Sequence, residues 1–130
     1  MNRGYLLDTN ALIWWLFRAE MLSYHSFEAI SDGSIDIFVS AVSAMEIATK
    51  HRIGKLPEAA PIAGSLATVI EQEGFKPLPI TQEHGDLAGS LPSPHADPWD
   101  RLLAAQAQIE KLSLISNDRQ METFGIRPYW

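Results

Sequence analysis

Short apolar runs alternate along the chain with longer segments in which apolar residues recur at helical spacing. Continuous apolar runs are typical of strands buried on both faces of a parallel sheet, and spacings of three and four residues indicate helices. The pattern predicts, in chain order, a strand at 4–8, helices at 9–17 and about 23–30, a strand at 35–39, helices at 41–53 and 59–73, an edge or irregular strand at 76–80, helices at 81–91 and 97–110, a strand at 112–116, a short helix from 117 and a weak strand at 125–130.

Capping and turn residues set several of these boundaries. Ser40 can cap the helix at 41–53, and Asp97 can cap the helix at 97–110 with Pro98 in its first position. Glycines at 33, 54 and 74 follow helical segments and are expected to end them. Prolines within 76–80 favour an edge position for that strand.

The repeated alternation of strands and helices predicts a three-layer α/β/α sandwich with a mainly parallel central sheet. The 130 residues are a usual length for one compact domain, so we expect a single domain over 1–130. The longest apolar stretch is too short to span a bilayer, residues 1–4 lack a signal-peptide pattern, and cysteine is absent. These features indicate a cytoplasmic protein without thiolate metal sites, disulfides or cysteine nucleophiles.

The charge of the chain argues against a simple nucleic-acid-binding surface. Ten basic and sixteen acidic residues give a formal net charge of −6, whereas nucleic-acid-binding domains usually carry a basic patch. The objection weakens if several acids converge on one pocket, because bound cations would reverse the local field and bridge to phosphates.

Four acidic residues are expected to meet at the carboxyl edge of the predicted sheet, where open parallel sheets bind their ligands. Asp8 ends the first strand, Asp118 follows the strand at 112–116, and Glu46 and Asp100 lie near the starts of helices at that rim. We call these four residues the acidic cluster. Carboxylates are the ligands that Mg²⁺ and Mn²⁺ prefer, so the set predicts a divalent metal site.

Asp8 also has a purely structural interpretation, because it could cap the helix that begins near Thr9. Thr9 and Asn10 are themselves good caps, and a charge placed after an apolar strand is unfavourable without a partner. The functional interpretation is favoured at this position.

The other acids have structural alternatives of similar weight. Glu46 precedes Lys50 by four residues, the spacing of an ordinary helix ion pair. Asp97 and Asp100 have the spacing of a capping box, and Asp118 could be a first-turn acid of the last short helix. Capping is the expected role of Asp97. Only the set of acids together indicates a site.

Other residue types carry weaker signals. The histidines show no metal-binding spacing and are expected in surface or loop positions; they are His25, His51, His84 and His95. Trp14 and Trp15 start near the predicted rim and could stack on bases, although core or interface packing is commoner for such residues. The chain has neither a phosphate-binding glycine loop nor a serine-nucleophile motif.

Four segments in order carry a known pattern: LLDTNALIW at 6–14, VSAVSAMEI at 39–47, DPWDRLLAAQA at 97–107 and LISND at 114–118. In these segments the chain resembles PIN-domain ribonucleases, specifically VapC-like toxins of type II toxin–antitoxin pairs, and the resemblance covers essentially the whole chain. The family's acidic positions correspond to the acidic cluster. Met45 departs from the pattern, because relatives often carry an aromatic residue there, and the departure concerns packing rather than chemistry.

The resemblance implies metal-dependent hydrolysis of RNA phosphodiester bonds with Mg²⁺ or Mn²⁺, a VapB-like antitoxin that blocks the acidic site, and a homodimer. It implies that Asp8 and Asp100 hold the principal ion, with Glu46 and Asp118 completing the site directly or through water. The residues expected to support these ligands without binding the ion are Thr9, Asn10, Asp97 and Asn117.

Two other interpretations stay open. A phospho-acceptor receiver domain also combines an α/β fold with clustered carboxylates, but it requires a lysine after a late strand, and none follows Leu114 and Ile115. A catalytically silent PIN-like module could keep the fold only to bind RNA or protein. The presence of all four acids disfavours the silent module, and a cleavage assay separates it from an enzyme.

Overall fold

The computed structural model describes residues 3–130. Met1 and Asn2, which begin the segment that lacks a signal-peptide pattern, lie outside the described residues. The strands are β1 (Tyr5–Leu7), β2 (Ile37–Ser40), β3 (Lys76–Leu78) and β4 (Ser113–Ile115). The α-helices are α1 (Thr9–Phe17), α2 (Tyr24–Asp32), α3 (Ala41–Arg52), α4 (Leu66–Glu73), α5 (Gln82–Ser90) and α6 (Pro98–Glu110). Short 3₁₀ turns lie at Ala19–Met21, Pro57–Ala59 and Arg119–Phe124.

The four strands form one parallel sheet in the order β3-β2-β1-β4. Tyr5 pairs with Ile37 on one side and with Ser113 on the other, so β1 is central. The proline-containing β3 lies at an edge, as predicted, because Pro77 cannot donate to a second neighbour.

Apolar residues of the sheet alternate between two separate cores. Leu7 belongs to the core that also contains Leu12 of α1, Ile30 of α2 and Ile70 of α4. Leu6 faces the other core, which is filled mainly from α6, together with Ala88 of α5 and Phe124 of the last 3₁₀ turn. Successive side chains of a strand point to opposite faces, so both faces of β1 are covered by helices. The predicted three-layer α/β/α sandwich is confirmed.

Side-chain caps confirm several helix starts. Ser40 accepts a hydrogen bond from Val42 N at 2.9 Å, and Thr81 forms a reciprocal capping box with His84 at the start of α5. Gly33 and Gly74 adopt left-handed backbone conformations after α2 and α4. These residues end the helices, because glycine occupies that region without a steric penalty.

The helix predicted over 59–73 is correct only in its second half. Pro57–Ala59 form a 3₁₀ turn, further turns follow, and α4 begins at Leu66. Pro61 lacks the N–H that a continuous helix would use, and Gly64 has a φ of +83°. The apolar spacing in this segment therefore fits turns that pack on the core as well as it fits a helix.

The strands are also shorter than predicted, and the last helical segment starts later than predicted. The final segment at 125–130 contributes one parallel bridge, between Ile115 and Tyr129, rather than a strand. Pro128 has no N–H to extend this pairing. The short helix predicted from 117 is a 3₁₀ turn that begins at Arg119.

His84 corrects the prediction that all four histidines occupy surface or loop positions. It lies in α5 and is 1% exposed. Its Nδ1 accepts a hydrogen bond from Thr81 N, and its Nε2 lies 2.9 Å from Glu110 on α6. The hydrogen bond from His84 lowers the pKa of Glu110, and the pair joins two helices. A lone histidine on a helix gives no sequence signal for such a buried partner.

Across residues 3–130, no helix has both the length and the apolar character needed to cross a bilayer.

Candidate active site

The strand order places a topological switch point beside β1. The chain proceeds from β1 outward to β2 and β3, and then returns to β4 on the other side of β1. In open parallel sheets, ligands bind outside the carboxyl ends of the strands at such a point. Asp8 follows β1 there and Ser116 follows β4, so both residues stand at the predicted rim.

Asp8 is fixed in this crevice by the neighbouring strand end. Its backbone N donates to Ile115 O at 3.0 Å, and its carboxylate Oδ2 accepts a hydrogen bond from Ser116 Oγ at 2.6 Å. Asp8 occupies the N-cap position of α1, but its side chain makes no capping hydrogen bond. The helix-cap alternative for this residue is therefore not realised.

The surroundings of Asp8 make its ionised form unfavourable. Burial raises the pKa of the Asp8 carboxyl to about 6, and the negative charges of Asp100 and Glu46 add to the increase. The hydrogen bonds from Ser116 and from the backbone of Thr9 act in the opposite direction. Three acids from three elements are thus close enough to interact electrostatically.

Glu46 is buried on α3 and paired with a lysine. Lys50 Nζ lies 2.6 Å from Glu46 Oε2, so the predicted helix pair forms, although the glutamate is largely removed from solvent. Burial acts to lower the pKa of Lys50, but Glu46, together with Asp97 and Asp100, raises it overall. The lysine ammonium is therefore a positive charge within the acidic cluster.

Asp100 is paired with a residue from the loop before α6. His95 Nε2 lies 2.7 Å from Asp100 Oδ2, and both side chains are mostly buried. Burial raises the pKa of Asp100, as do the charges of Asp97 and Asp118, whereas the hydrogen bond from His95 lowers it. Asp97 Oδ1 accepts from Trp99 N at 2.8 Å, which confirms the predicted cap of α6.

Asp118 is held at the start of the last 3₁₀ turn. Its Oδ1 accepts from Gln120 N at 3.0 Å, so the capping alternative for this acid is realised. Its backbone N donates to Ser116 Oγ at 3.0 Å, while the same hydroxyl donates to Asp8. One serine therefore ties the segment of Asp118 to Asp8. Asn117, between Ser116 and Asp118 in the chain, is exposed.

A second buried hydroxyl pair supports the start of α1. Thr9 Oγ1 lies 2.9 Å from Ser43 Oγ on α3, and both residues are buried. This contact fixes the helix that follows Asp8 against the helix that carries Glu46. Asn10 is exposed at the same end of α1. The supporting roles predicted for Thr9 and Asn10 remain predictions.

Three residues of this site were missed by sequence reasoning. Ser116 and Ser43 lie within the recognised segments, but nothing in the sequence shows that their hydroxyls bond to Asp8 and Thr9. His95 stood near a predicted acid, and its loop position is correct, but its contact with Asp100 depends on how the Pro-rich loop folds back. Proximity along the chain was the one available signal for His95.

Arg101 holds that loop in place. Its guanidinium donates to backbone carbonyls before and within the loop, namely those of Ala88, Leu91, Ser93 and His95. Arginine suits this position because its planar fork offers five donors in fixed directions. The clamp positions His95 beside Asp100.

The two tryptophans of α1 are packing residues at the edge of the core. Trp15 Nε1 donates to Glu73 Oε1 at 2.8 Å, and its ring contacts Phe75. Trp14 packs edge-on against Trp130, with ring centroids 5.8 Å apart. The structure favours the packing alternative for both residues.

The donor chemistry of the acidic cluster suits a hard divalent cation, because carboxylate oxygens dominate it. As the side chains stand, residues 3–130 contain no group of three acidic or histidine side chains arranged to hold a metal ion. Lys50 and His95 contact two of the carboxylates. Each of these contacts uses one carboxylate oxygen, Glu46 Oε2 and Asp100 Oδ2.

Comparison with known proteins agrees with this architecture. A model of the PIN domain family matches residues 5–126. No curated protein gives a significant match to the sequence. The structure is similar to a chain of the DNA-bound VapBC from Salmonella typhimurium, with a TM-score of 0.70, 21% identity, and coverage of 99% of this chain and 98% of that one.

Two further structures show the same fold. VapBC2 from Rickettsia felis, bound to a promoter DNA fragment, has a TM-score of 0.66, 15% identity, and coverage of 91% of this chain and 90% of that one. FitAcB from Neisseria gonorrhoeae has a TM-score of 0.65, 19% identity, and coverage of 97% and 96%. The family match leaves the receiver-domain alternative without support. Because the family model spans nearly the whole chain and the fold agrees, the chain belongs to the PIN domain family.

Proposed function

We propose that this protein is a metal-dependent endoribonuclease that acts as the toxin of a type II toxin–antitoxin pair. The observation that carries the proposal is the convergence of acids from separate elements on Asp8, which is buried at the carboxyl end of the central strand. The negative charges of Asp100 and Glu46 both act to raise the pKa of Asp8, which supports their closeness to it. Like charges gathered in a buried crevice are destabilising unless a cation or a protonation event compensates them.

Asp8 and Asp100 are the residues proposed to hold Mg²⁺ or Mn²⁺, with Glu46 and Asp118 completing the site directly or through water. When bound, such an ion lowers the pKa of a coordinated water and stabilises charge that develops on the phosphoryl oxygens. Ser116 orients the Asp8 carboxylate, and the Thr9–Ser43 contact fixes the helices on either side of it. Thr9, Asn10, Asp97 and Asn117 are proposed to support the ligands without binding the ion.

In this arrangement Lys50 and His95 are resident partners of the carboxylates. Lys50 is positively charged and lies against Glu46, and His95 donates to Asp100. Both contacts keep the acids oriented in the absence of an ion. We propose that ion binding draws the carboxylates away from these two side chains.

The proposal includes an antitoxin partner that covers the acidic cluster. Its support is the similarity to chains of VapBC structures and of a toxin–antitoxin complex from Klebsiella pneumoniae. Exposed apolar side chains between the end of α1 and α2 offer a surface for a protein contact; they are Phe17, Met21, Tyr24 and Phe27. A homodimer and a cytoplasmic location complete the proposal.

Cleavage of single-stranded RNA by the purified protein tests the nuclease activity. We expect cleavage with Mg²⁺ or Mn²⁺, none with EDTA, and loss of cleavage in Asp8→Asn and Asp100→Asn with an unchanged circular dichroism spectrum. Asp86→Asn, an exposed acid on α5, is the matched control and retains activity. Undiminished cleavage by either cluster variant would contradict the proposal. RNA binding without cleavage by the wild type would favour the silent module instead.

Expression without an antitoxin tests the toxin role separately. Induction of the wild-type chain is expected to arrest bacterial growth, whereas induction of Asp100→Asn at equal soluble level leaves growth unchanged. Normal growth with verified soluble, active wild-type protein would argue against toxin function while leaving the nuclease assignment intact.

A further inference from the structure

A cavity of about 280 Å³ opens directly beside the acidic cluster. Its walls include Asn117, Asp118, Arg119 and Glu122 from one segment, and Trp130 from another. Of these residues, Asp118 is a proposed metal ligand and Asn117 a proposed support for the ligands, and the others have no role in the proposed cleavage chemistry. The cavity combines an aromatic wall, one cation, one amide and two carboxylates.

The cavity and the acidic cluster share a wall. Ser116 lines the cavity and donates to Asp8 on the cluster side. Asp118 also lines the cavity, and its charge raises the pKa of Asp100. Two neighbouring nucleotides of one strand could therefore occupy the two sites, one at the acidic cluster and the next in the cavity.

Trp130, which lines one side of the cavity, is packed against neighbouring residues. Its ring packs edge-on against Trp14 at 5.8 Å with an interplanar angle of 63°, and it rests against the core of α1. The preceding Tyr129 pairs with Ile115 at the end of β4, so the backbone is fixed as well. A packed, partly exposed indole offers stacking area with little loss of conformational entropy.

The charges of the cavity favour a neutral planar group over a phosphate. The carboxylates of Asp118 and Glu122 would repel a phosphate that entered the cavity. Arg119 and Asn117 can donate hydrogen bonds to a phosphate that stays at its rim. The volume lies just below the range of about 300–1,000 Å³ for ligand pockets. It suits one nucleobase rather than several.

We propose that this cavity binds an unpaired nucleobase next to the scissile phosphate, with Trp130 as the stacking surface and Arg119 as the contact to the adjoining phosphate. The inference rests on the proposed ribonuclease function and names a substrate subsite for it. Trp130 is then a residue that binds substrate and fixes which bond lies at the acids. Stacking on aromatic side chains is a general way to hold single-stranded RNA without reading its sequence.

A double-mutant cycle between the tryptophan and the base tests this proposal. Cut sites in a randomised single-stranded RNA first define a substrate, and oligonucleotides are then made with one abasic residue on either side of the scissile bond. Trp130→Ala is expected to raise KM for the intact RNA by about 5- to 100-fold, the usual effect of removing one stacked base. On the abasic RNA that lacks the stacked base, Trp130→Ala is expected to change KM little. Trp130→Phe keeps most of the affinity.

Binding of uncut RNA gives a readout that is independent of cleavage. In the Asp100→Asn background, Trp130→Ala should weaken binding of intact RNA and leave binding of the same abasic RNA unchanged. Equal losses on the intact RNA and on both abasic RNAs would show a structural role for Trp130 and overturn the proposal. Unchanged affinity for all RNAs would also overturn it. Failure of the wild type to cut any RNA would refute the nuclease function and the subsite with it, whereas cleavage that Trp130→Ala leaves unchanged would refute the subsite alone.

Discussion

Asp8→Asn is expected to stabilise the metal-free protein at neutral pH while it abolishes activity. The pKa of Asp8 rises from 3.8 to about 6 because burial and the neighbouring acids disfavour its charge. Each pKa unit corresponds to about 1.4 kcal/mol, so ionising this group in the folded state costs roughly 3 kcal/mol. Asparagine keeps an acceptor for the Ser116 hydroxyl and carries no charge.

The sign of the pH dependence follows from the raised pKa. The folded state holds the Asp8 proton more tightly than the unfolded state, so its stabilising effect is complete below pH 3.8 and is lost as the pH rises to about 6. Asp8→Asn does not lose stability in this way, because its side chain does not ionise. We therefore expect its stability advantage to be largest above pH 6 and close to zero near pH 4.

Urea unfolding in EDTA at pH 4 and pH 7.5 measures this difference directly. The variant is expected to exceed the wild type by roughly 2–3 kcal/mol at pH 7.5. Asp86→Asn, on the exposed face of α5, serves as the control and should shift stability little at either pH. Saturating Mn²⁺ should raise the stability of the wild type and not that of the variant, because an ion favours the charged carboxylate. A wild type more stable than Asp8→Asn at pH 7.5 in EDTA would refute the electrostatic reasoning.

Three further predictions concern side chains around the acids. Lys50→Met removes the resident cation and is expected to tighten Mn²⁺ binding about three- to tenfold by calorimetry, since a partly exposed charge contributes roughly 1 kcal/mol; weaker binding would contradict this. Ser116→Ala should lower the unfolding free energy by about 1.5–3 kcal/mol, because a buried hydrogen bond to Asp8 is lost, whereas Ser34→Ala removes an exposed serine–aspartate bond and should have little effect. Arg101→Lys leaves carbonyls of the loop before α6 unsatisfied, so limited proteolysis should cut that loop faster; an unchanged cleavage rate would show that the clamp is dispensable.

The fold was largely predictable because local signals agreed with the tertiary structure. Ser40 and Asp97 cap their helices, and the apolar run before Asp8 forms the central strand. The error at 59–73 arose because apolar spacing persists through Pro61 and Gly64, where the backbone makes turns. Periodicity reports which side chains face the core and does not by itself report whether the segment between them is helical.

The acids of the candidate site could be located from strand ends, but their partners could not. The bond between Ser116 and Asp8 joins residues 108 positions apart and exists because β4 lies beside β1. Sequence patterns do not specify that strand order. The pairing of His95 with Asp100 likewise depends on how Arg101 draws in the preceding loop, which no local propensity encodes.

A crystal of the protein soaked in Mn²⁺ and measured near the manganese absorption edge would show directly whether the acidic cluster binds a metal ion. We expect an anomalous difference peak in direct contact with the carboxylates of Asp8 and Asp100, with Glu46 moved away from Lys50. We also expect the peak to be absent in Asp8→Asn crystals. If the wild-type protein cleaves RNA but its crystals show manganese bound elsewhere, or none at the acidic cluster, the proposed metal site is wrong.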